Sequence, residues 1–115
     1  MTEEKLYEFA KAWSARNIDK VMSFFTADCL YSPSVIGAQN EAIGKSAVSR
    51  LIELMMEYDD SVDSKVFNIH ILDGFGFWEW EYKNANDSII RGCDVFEFVG
   101  DKIKSKKAFR KLVYS

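Results

Sequence analysis

The chain has 115 residues, of which 48 % are hydrophobic and 15 % aromatic, a size and composition that suit one domain with a real core and exclude a disordered chain. Its formal net charge of −3 gives no electrostatic basis for nucleic-acid binding. No apolar run approaches the roughly 18 residues a membrane span needs, and the opening "MTEEKLYEFAK" is acidic and lacks the apolar centre of a secretory signal.

The first expected element is a helix. Thr2 can cap it, Glu3 and Glu4 suit its first turn, and Leu6, Phe9, Ala10 and Trp13 mark one face. Asn17 can cap a shorter second helix with Val21, Met22, Phe24 and Phe25 as its apolar face. "CLYSP" reads as a short strand stopped by Pro33, the only proline. "SVIGAQNEAIG" has no clear period and reads as a loop. A third helix follows Gly44, with the stripe Val48, Leu51, Ile52 and Met55.

From Ser64 the period changes to two. Four strands are expected, over Ser64–Leu72, Phe75–Lys83, Ser88–Val99 and Ile103–Val113. Asp73-Gly74, Asn84 to Asp87 and Gly100-Asp101 supply turn chemistry between them, so consecutive strands should be antiparallel neighbours. The fold class is therefore α+β: three N-terminal helices packed on a curved, mostly antiparallel sheet, in a single domain over 1–115.

Two local patterns lead nowhere. "IGKS", Ile43 to Ser46, lacks the earlier glycine of a phosphate loop, because position 39 is glutamine, and no strand precedes it. Cys29 and Cys93 form no CxxC and no Cys/His cluster, so no metal or other cofactor is implied, and reduced thiols in a cytoplasmic protein are the expectation. The basic run Lys102 to Lys111 alternates along a strand, so its charges split between two faces.

The order of elements, with "ARNIDKVMSFFTADCLYSP", "IGKSAVSRLIE" and "RGCDVFEFVGDKIKSKKAFRK", resembles the nuclear transport factor 2-like superfamily and its SnoaL-like branch. The last stretch is the most specific: an acid, alternating apolar residues, a glycine turn, then a basic strand ending near an aromatic. The resemblance implies a cone-like half-barrel with cystatin-like topology, a pocket closed by the helices, and frequent dimerisation through the outer sheet face. The superfamily spans ketosteroid isomerases, polyketide cyclases, dehydratases, epoxide hydrolases and members without chemistry, so the fold alone fixes no activity. By this match Asp94 takes the place of the isomerase acid that stays protonated and donates a hydrogen bond to a forming oxyanion. The isomerase tyrosine falls at Phe9 and its general base at Pro33, and neither side chain can do that work. Trp13 and Tyr31 line the pocket by family position.

Strand parity assigns the rest. A two- or four-residue turn after Lys83 or Asn84 pairs Asp94 with Phe77, and an Asp73-Gly74 turn pairs His70 with Phe77 and Asn68 with Glu79. The pocket face would then hold Asn68, His70, Phe77, Glu79, Glu81, Asp94, Phe96, Lys106 and Arg110. The outer face would carry Phe67, Ile69, Ile71, Trp78, Trp80, Tyr82, Val95 and Phe109, an apolar surface that predicts a second copy of the chain as partner. A single-residue bulge in either hairpin reverses this assignment and puts Trp78, Trp80 and Tyr82 in the pocket. The hairpin rule favours the polar pocket. In that pocket Asp94, His70 and Glu79 are candidate catalytic groups. Trp13, Tyr31, Phe77, Phe96 and Arg110 are candidate ligand contacts, with Arg110 able to clamp a carboxylate. Asp94 could instead form an ion pair with Arg110 or Lys106. The chain reads as a homodimeric protein that binds a small organic molecule, with or without cofactor-independent isomerase, dehydratase or cyclase chemistry.

Overall fold

The computed structural model describes residues 1–34 and 41–112. The helices are α1 (Glu3–Ser14), α2 (Ile18–Met22) and α3 (Lys45–Glu57), and the strands are β1 (Phe25–Ser32), β2 (Ala42–Ile43), β3 (Val62–Leu72), β4 (Phe75–Lys83), β5 (Ile89–Val99) and β6 (Lys102–Leu112). Both expected caps form: Thr2 Oγ1 accepts from the Lys5 amide at 3.2 Å and Asn17 Oδ1 from the Lys20 amide at 3.2 Å. The second helix is shorter than expected, because Phe24 and Phe25 leave it and Phe25 opens β1. The short strand β2 lies inside the segment read as a loop. Positions 35–40 of that loop and Val113 of the last expected strand lie outside the described residues.

The strands form one curved six-stranded sheet in the order β2-β1-β6-β5-β4-β3. β3 to β6 are the expected meander, and among the described strands only β1 and β6 run parallel. The helices pack on the concave face. Leu6, Phe9, Val21, Val48 and Ile52 from the helices meet Phe25, Trp78, Phe96 and Ile103 from the sheet, and all are buried. Phe9 is the hub: its ring lies 5.5 Å from Phe24, 5.8 Å from Phe25 and 6.3 Å from both Trp78 and Phe96. Aromatic contacts of this kind add to the burial of large apolar surfaces.

The facing of β4 against β5 depends on one turn. The Asp73-Gly74 turn does pair His70 with Phe77, as expected. The β4–β5 connection, however, closes on Asn84 and Ser88, whose backbones bond at 3.0 Å. Three residues, Ala85 to Asp87, are left in the loop, and Asp87 adopts φ 63°. This is a type I turn followed by a left-handed residue, which inserts one residue relative to a two-residue turn. Asn84 Oδ1 holds it by accepting from the Asn86 and Ser88 amides at 2.9 and 3.0 Å. Asp94 therefore pairs with Trp78 rather than Phe77, and every side chain of β4 changes sides.

Two further irregularities set the other faces. Asn68 sits at φ 51°, and the β3–β4 register shifts there, so that Phe67 pairs with Glu79. Val66, Ile69 and Ile71 all pack against the core as a result. On β6 the register shifts after Phe98–Ile103, bringing Ser105 opposite Glu97 and Lys106 opposite Phe96. Without that shift Ile103 and Lys106 would face opposite sides; with it both point inward. The left-handed backbone of Asp87 is tolerable for aspartate and poor for a β-branched residue. An Asp87→Val substitution is accordingly expected to destabilise the chain by about 1–2 kcal/mol, read as a lower urea midpoint, while Asp87→Gly should stay close to the native value.

Candidate functional site

A cavity of about 880 Å³ opens between the concave sheet face, α1 and the end of α3. All three tryptophans of the chain, Trp13, Trp78 and Trp80, line it. Tyr31, Tyr82 and Phe9 add to an aromatic wall, while Asp94, Lys106 and Arg110 bring charge. Such a largely apolar hollow with a few convergent polar groups is the usual form of a small-molecule site.

Asp94 is only 4 % exposed, and its carboxylate is held from three directions. Trp78 Nε1 donates to Oδ2 at 2.7 Å and Trp80 Nε1 donates to Oδ1 at 3.1 Å. The Lys106 ammonium stands 3.4 Å from Oδ2. Indole N–H and ammonium are donors only, so both carboxylate oxygens must accept. Lys106 is itself buried, and its Nζ lies 4.4 Å from the centre of the Trp13 ring and 5.1 Å from that of Tyr31. The ammonium thus has a carboxylate on one side and aromatic faces on the others, which together offset its desolvation. Burial, and then the nearby Asp94 charge, push the Tyr31 phenol well above its ordinary range, with Arg110 opposing. Tyr31 is a neutral wall residue at any physiological pH.

Gly92 makes the Trp80–Asp94 contact possible. It lies opposite Trp80 in the ladder, and a Cβ there would fall 2.2 Å from the indole and 2.3 Å from the Phe109 carbonyl oxygen. The missing side chain leaves the space in which Trp80 lies across β5. Trp80 stacks on Tyr82 with ring centres 5.8 Å apart and planes 16° from parallel. Arg110 Nη2 donates to Tyr82 Oη at 2.6 Å, and the guanidinium lies 5.7 Å from the Tyr82 ring centre.

The expected site residues separate into two groups. Asp94, Trp13, Tyr31 and Arg110 all line the cavity. Phe96 is on the same sheet face but wholly buried against Trp78, whose ring centre is 5.2 Å away. His70, Phe77 and Glu79 lie on the opposite face: the His70 and Phe77 rings stack at 4.9 Å, and Glu79 accepts from Asn68 Nδ2. The polar-pocket facing is thereby corrected, and its cause is the three-residue turn before β5. Glu81 borders the cavity, but Arg91 at 2.6 Å and Lys65 at 3.1 Å hold its carboxylate and keep it below the usual carboxylate range. Asp94 pairs with Lys106, not with Arg110. The outer face also changes: Phe75 and Phe77 join Phe67, Val95 and Phe109, while Ile69, Ile71, Trp78, Trp80 and Tyr82 turn inward. Parity carried over from the turn missed Trp78, Trp80 and Tyr82 as pocket residues. The "FWEWEY" alternation held the signal, because two tryptophans and a tyrosine on one face call for burial more strongly than the glutamates between them.

The SnoaL-like domain family matches residues 6–106, and the chain belongs to it. No functionally curated protein matches the chain. Among solved structures it is similar to a steroid delta-isomerase from Pseudomonas aeruginosa, at 13 % identity over 94 % of this chain and 77 % of that one, with a TM-score of 0.74. A protein from Sinorhizobium meliloti named as a putative polyketide cyclase is similar at 11 % identity over 93 % of this chain and 94 % of that one, with a TM-score of 0.78. A protein with a ketosteroid isomerase-like fold from Catenulispora acidiphila, in complex with trimethylamine, is similar at 18 % identity over 95 % and 86 %, with a TM-score of 0.77. At these identities the likeness establishes the fold. Phe9 is a fully buried core residue and Pro33 a buried part of the cavity lining, and neither has a group that can donate or take a proton.

The donor-only surroundings of Asp94 define what its loss would do. In Asp94→Asn one amide N–H₂ would face an indole N–H or the Lys106 ammonium. The expected cost is about 3 kcal/mol, measured as a loss of unfolding free energy in urea.

Proposed function

We propose that the protein binds a small, mostly aromatic organic molecule in this cavity, and that Asp94 builds the cavity rather than transferring a proton in it. The observation that carries this reading is that each Asp94 oxygen accepts from an indole N–H of the wall, Trp78 on one and Trp80 on the other, while Lys106 pairs with the carboxylate. A hydrogen-bond donor to a forming oxyanion needs a proton to share, and a general base needs a free lone pair aimed at substrate. Both Asp94 oxygens are turned toward donor-only groups of the wall, an arrangement that suits an accepting carboxylate fixed in place rather than an acid or base aimed at substrate. The alternative, an isomerase, dehydratase or cyclase using Asp94 with His70 or Glu79, loses its support because those two side chains are on the other sheet face. The names of the isomerase and cyclase neighbours keep that chemistry within the reach of the fold, but not of these residues. The fold's service as a small-molecule container finds support in the trimethylamine complex of the Catenulispora protein.

All three tryptophans report on the cavity, so its occupancy can be read directly. Titration with 2-naphthol should quench the intrinsic fluorescence saturably, with one site per chain. Quenching that stays linear and unsaturated would reject the binding reading, and an Asp94→Asn variant as stable as the native chain would reject the assigned role of Asp94.

We also infer a homodimer through the outer sheet face, with the whole chain acting as one unit. Phe75, Phe77, Val95 and Phe109 are each 39–56 % exposed there. They alternate with Glu79, Glu97, Arg91 and Lys107, the mixed surface expected of an isologous contact. A cytoplasmic setting is the corresponding proposal for two free thiols, Cys29 and Cys93. Sedimentation velocity should give a dimer for the native chain and a monomer for Phe77→Glu; a native monomer would end the dimer proposal.

A further inference from the structure

We propose that the ligand is an aromatic carboxylate and that Arg110 holds its anionic group, an inference that rests on the reading of the cavity as a binding site.

The cavity's acids are already engaged. Asp59 pairs with Arg16 at 3.3 Å and accepts from the Ser61 amide at 2.8 Å; Asp60 accepts from the Ala85 amide at 3.0 Å. Glu81 has Lys65 and Arg91, and Asp94 has Lys106 and two indoles. The balance on the basic side is different. Lys65 and Lys106 are the partners just named, whereas Lys11 and Arg110 border the cavity without a carboxylate within ion-pair distance among the described residues, and of these two it is Arg110 that a side-chain hydrogen bond holds in place beside the aromatic wall. An anionic ligand would meet a cation that has nothing else to neutralise it. A cationic ligand would meet acids that are all occupied.

Arg110 is also oriented before any ligand arrives. Its bond to Tyr82 Oη and its position over the Tyr82 ring use one of five N–H donors and leave the rest of the fork to a planar anion. That matters because an ordered guanidinium loses less freedom on binding than a loose one. Tyr82 stacks in turn on Trp80, and Trp80 is opposite Gly92, the ladder partner of Arg110. A flat indole–phenol wall therefore stands beside the guanidinium, suited to an aromatic ring whose carboxylate reaches Arg110. Lys106, deeper in the cavity, does not compete for the anion, since Asp94 compensates its charge.

The test compares two ligands of one shape, 2-naphthoate and 2-naphthamide, by tryptophan quenching and by calorimetry. The native chain should bind the carboxylate about tenfold more tightly, the ratio that one charge-assisted hydrogen bond of about 1.4 kcal/mol supplies. In Arg110→Gln, an exposed position where folding should be undisturbed, affinity for 2-naphthoate should fall about tenfold and that for 2-naphthamide should not change. Equal binding of the two compounds by the native chain, or a preference that survives in Arg110→Gln, would overturn the Arg110 inference and leave the cavity reading standing. Failure of both compounds to bind would overturn both.

Discussion

The carboxylate of Asp94 is the point on which the concave face is organised. A buried charge without partners costs several kcal/mol, so its burial dictates what surrounds it. Two indole N–H groups from β4 and one ammonium from β6 converge on it, which ties the three central strands together by side chains as well as by their ladders. The same three donors belong to residues that form the cavity wall. Trp78 and Trp80 are turned edge-on toward Asp94 and so present their faces to neighbours, Trp78 to Phe9 and Trp80 to Tyr82. Lys106 is drawn inward to sit between Trp13 and Tyr31, joining the first helix to the sheet through a cation.

Much of this is legible in the sequence. The helix stripes and caps, the change of period at Ser64, and the Asp73-Gly74 turn follow from local physical chemistry, and the fold class follows from their order. Asp94, Trp13, Tyr31 and Arg110 as cavity residues came from the family resemblance. What could not be counted from the chain was the length of one turn. Asn84 to Ser88 offers several residues fit for turn positions, and whether two or three of them make the loop depends on Asp87 accepting a left-handed backbone. That single residue decided whether tryptophans or glutamates entered the pocket. The bulges at Asn68 and after Ile103 were hidden for the same reason: each is a local backbone choice settled by packing around the whole sheet.

Within its family the chain combines the shared fold with its own set of cavity groups. Position 9 holds an apolar ring and position 33 an imino acid, while the acid at 94 is held by two indoles and an ammonium. On the reading proposed above, those surroundings make Asp94 a part of the wall rather than a reacting group. Meanwhile the outer face carries the only histidine, stacked on Phe77, far from the cavity wall in the sense that matters, across the thickness of the sheet.

Gly92 bears on how this sequence could change over time. Any side chain there would collide with the Trp80 indole and with backbone at the same moment. Shrinking residue 80 would remove only one of these collisions, because the Phe109 carbonyl oxygen would still stand in the way of a Cβ at 92. Position 92 is therefore closed to side chains in either order of change, whereas position 80 is free to vary at the cost of one donor to Asp94. Drift at this end of the cavity is channelled through residue 80 alone.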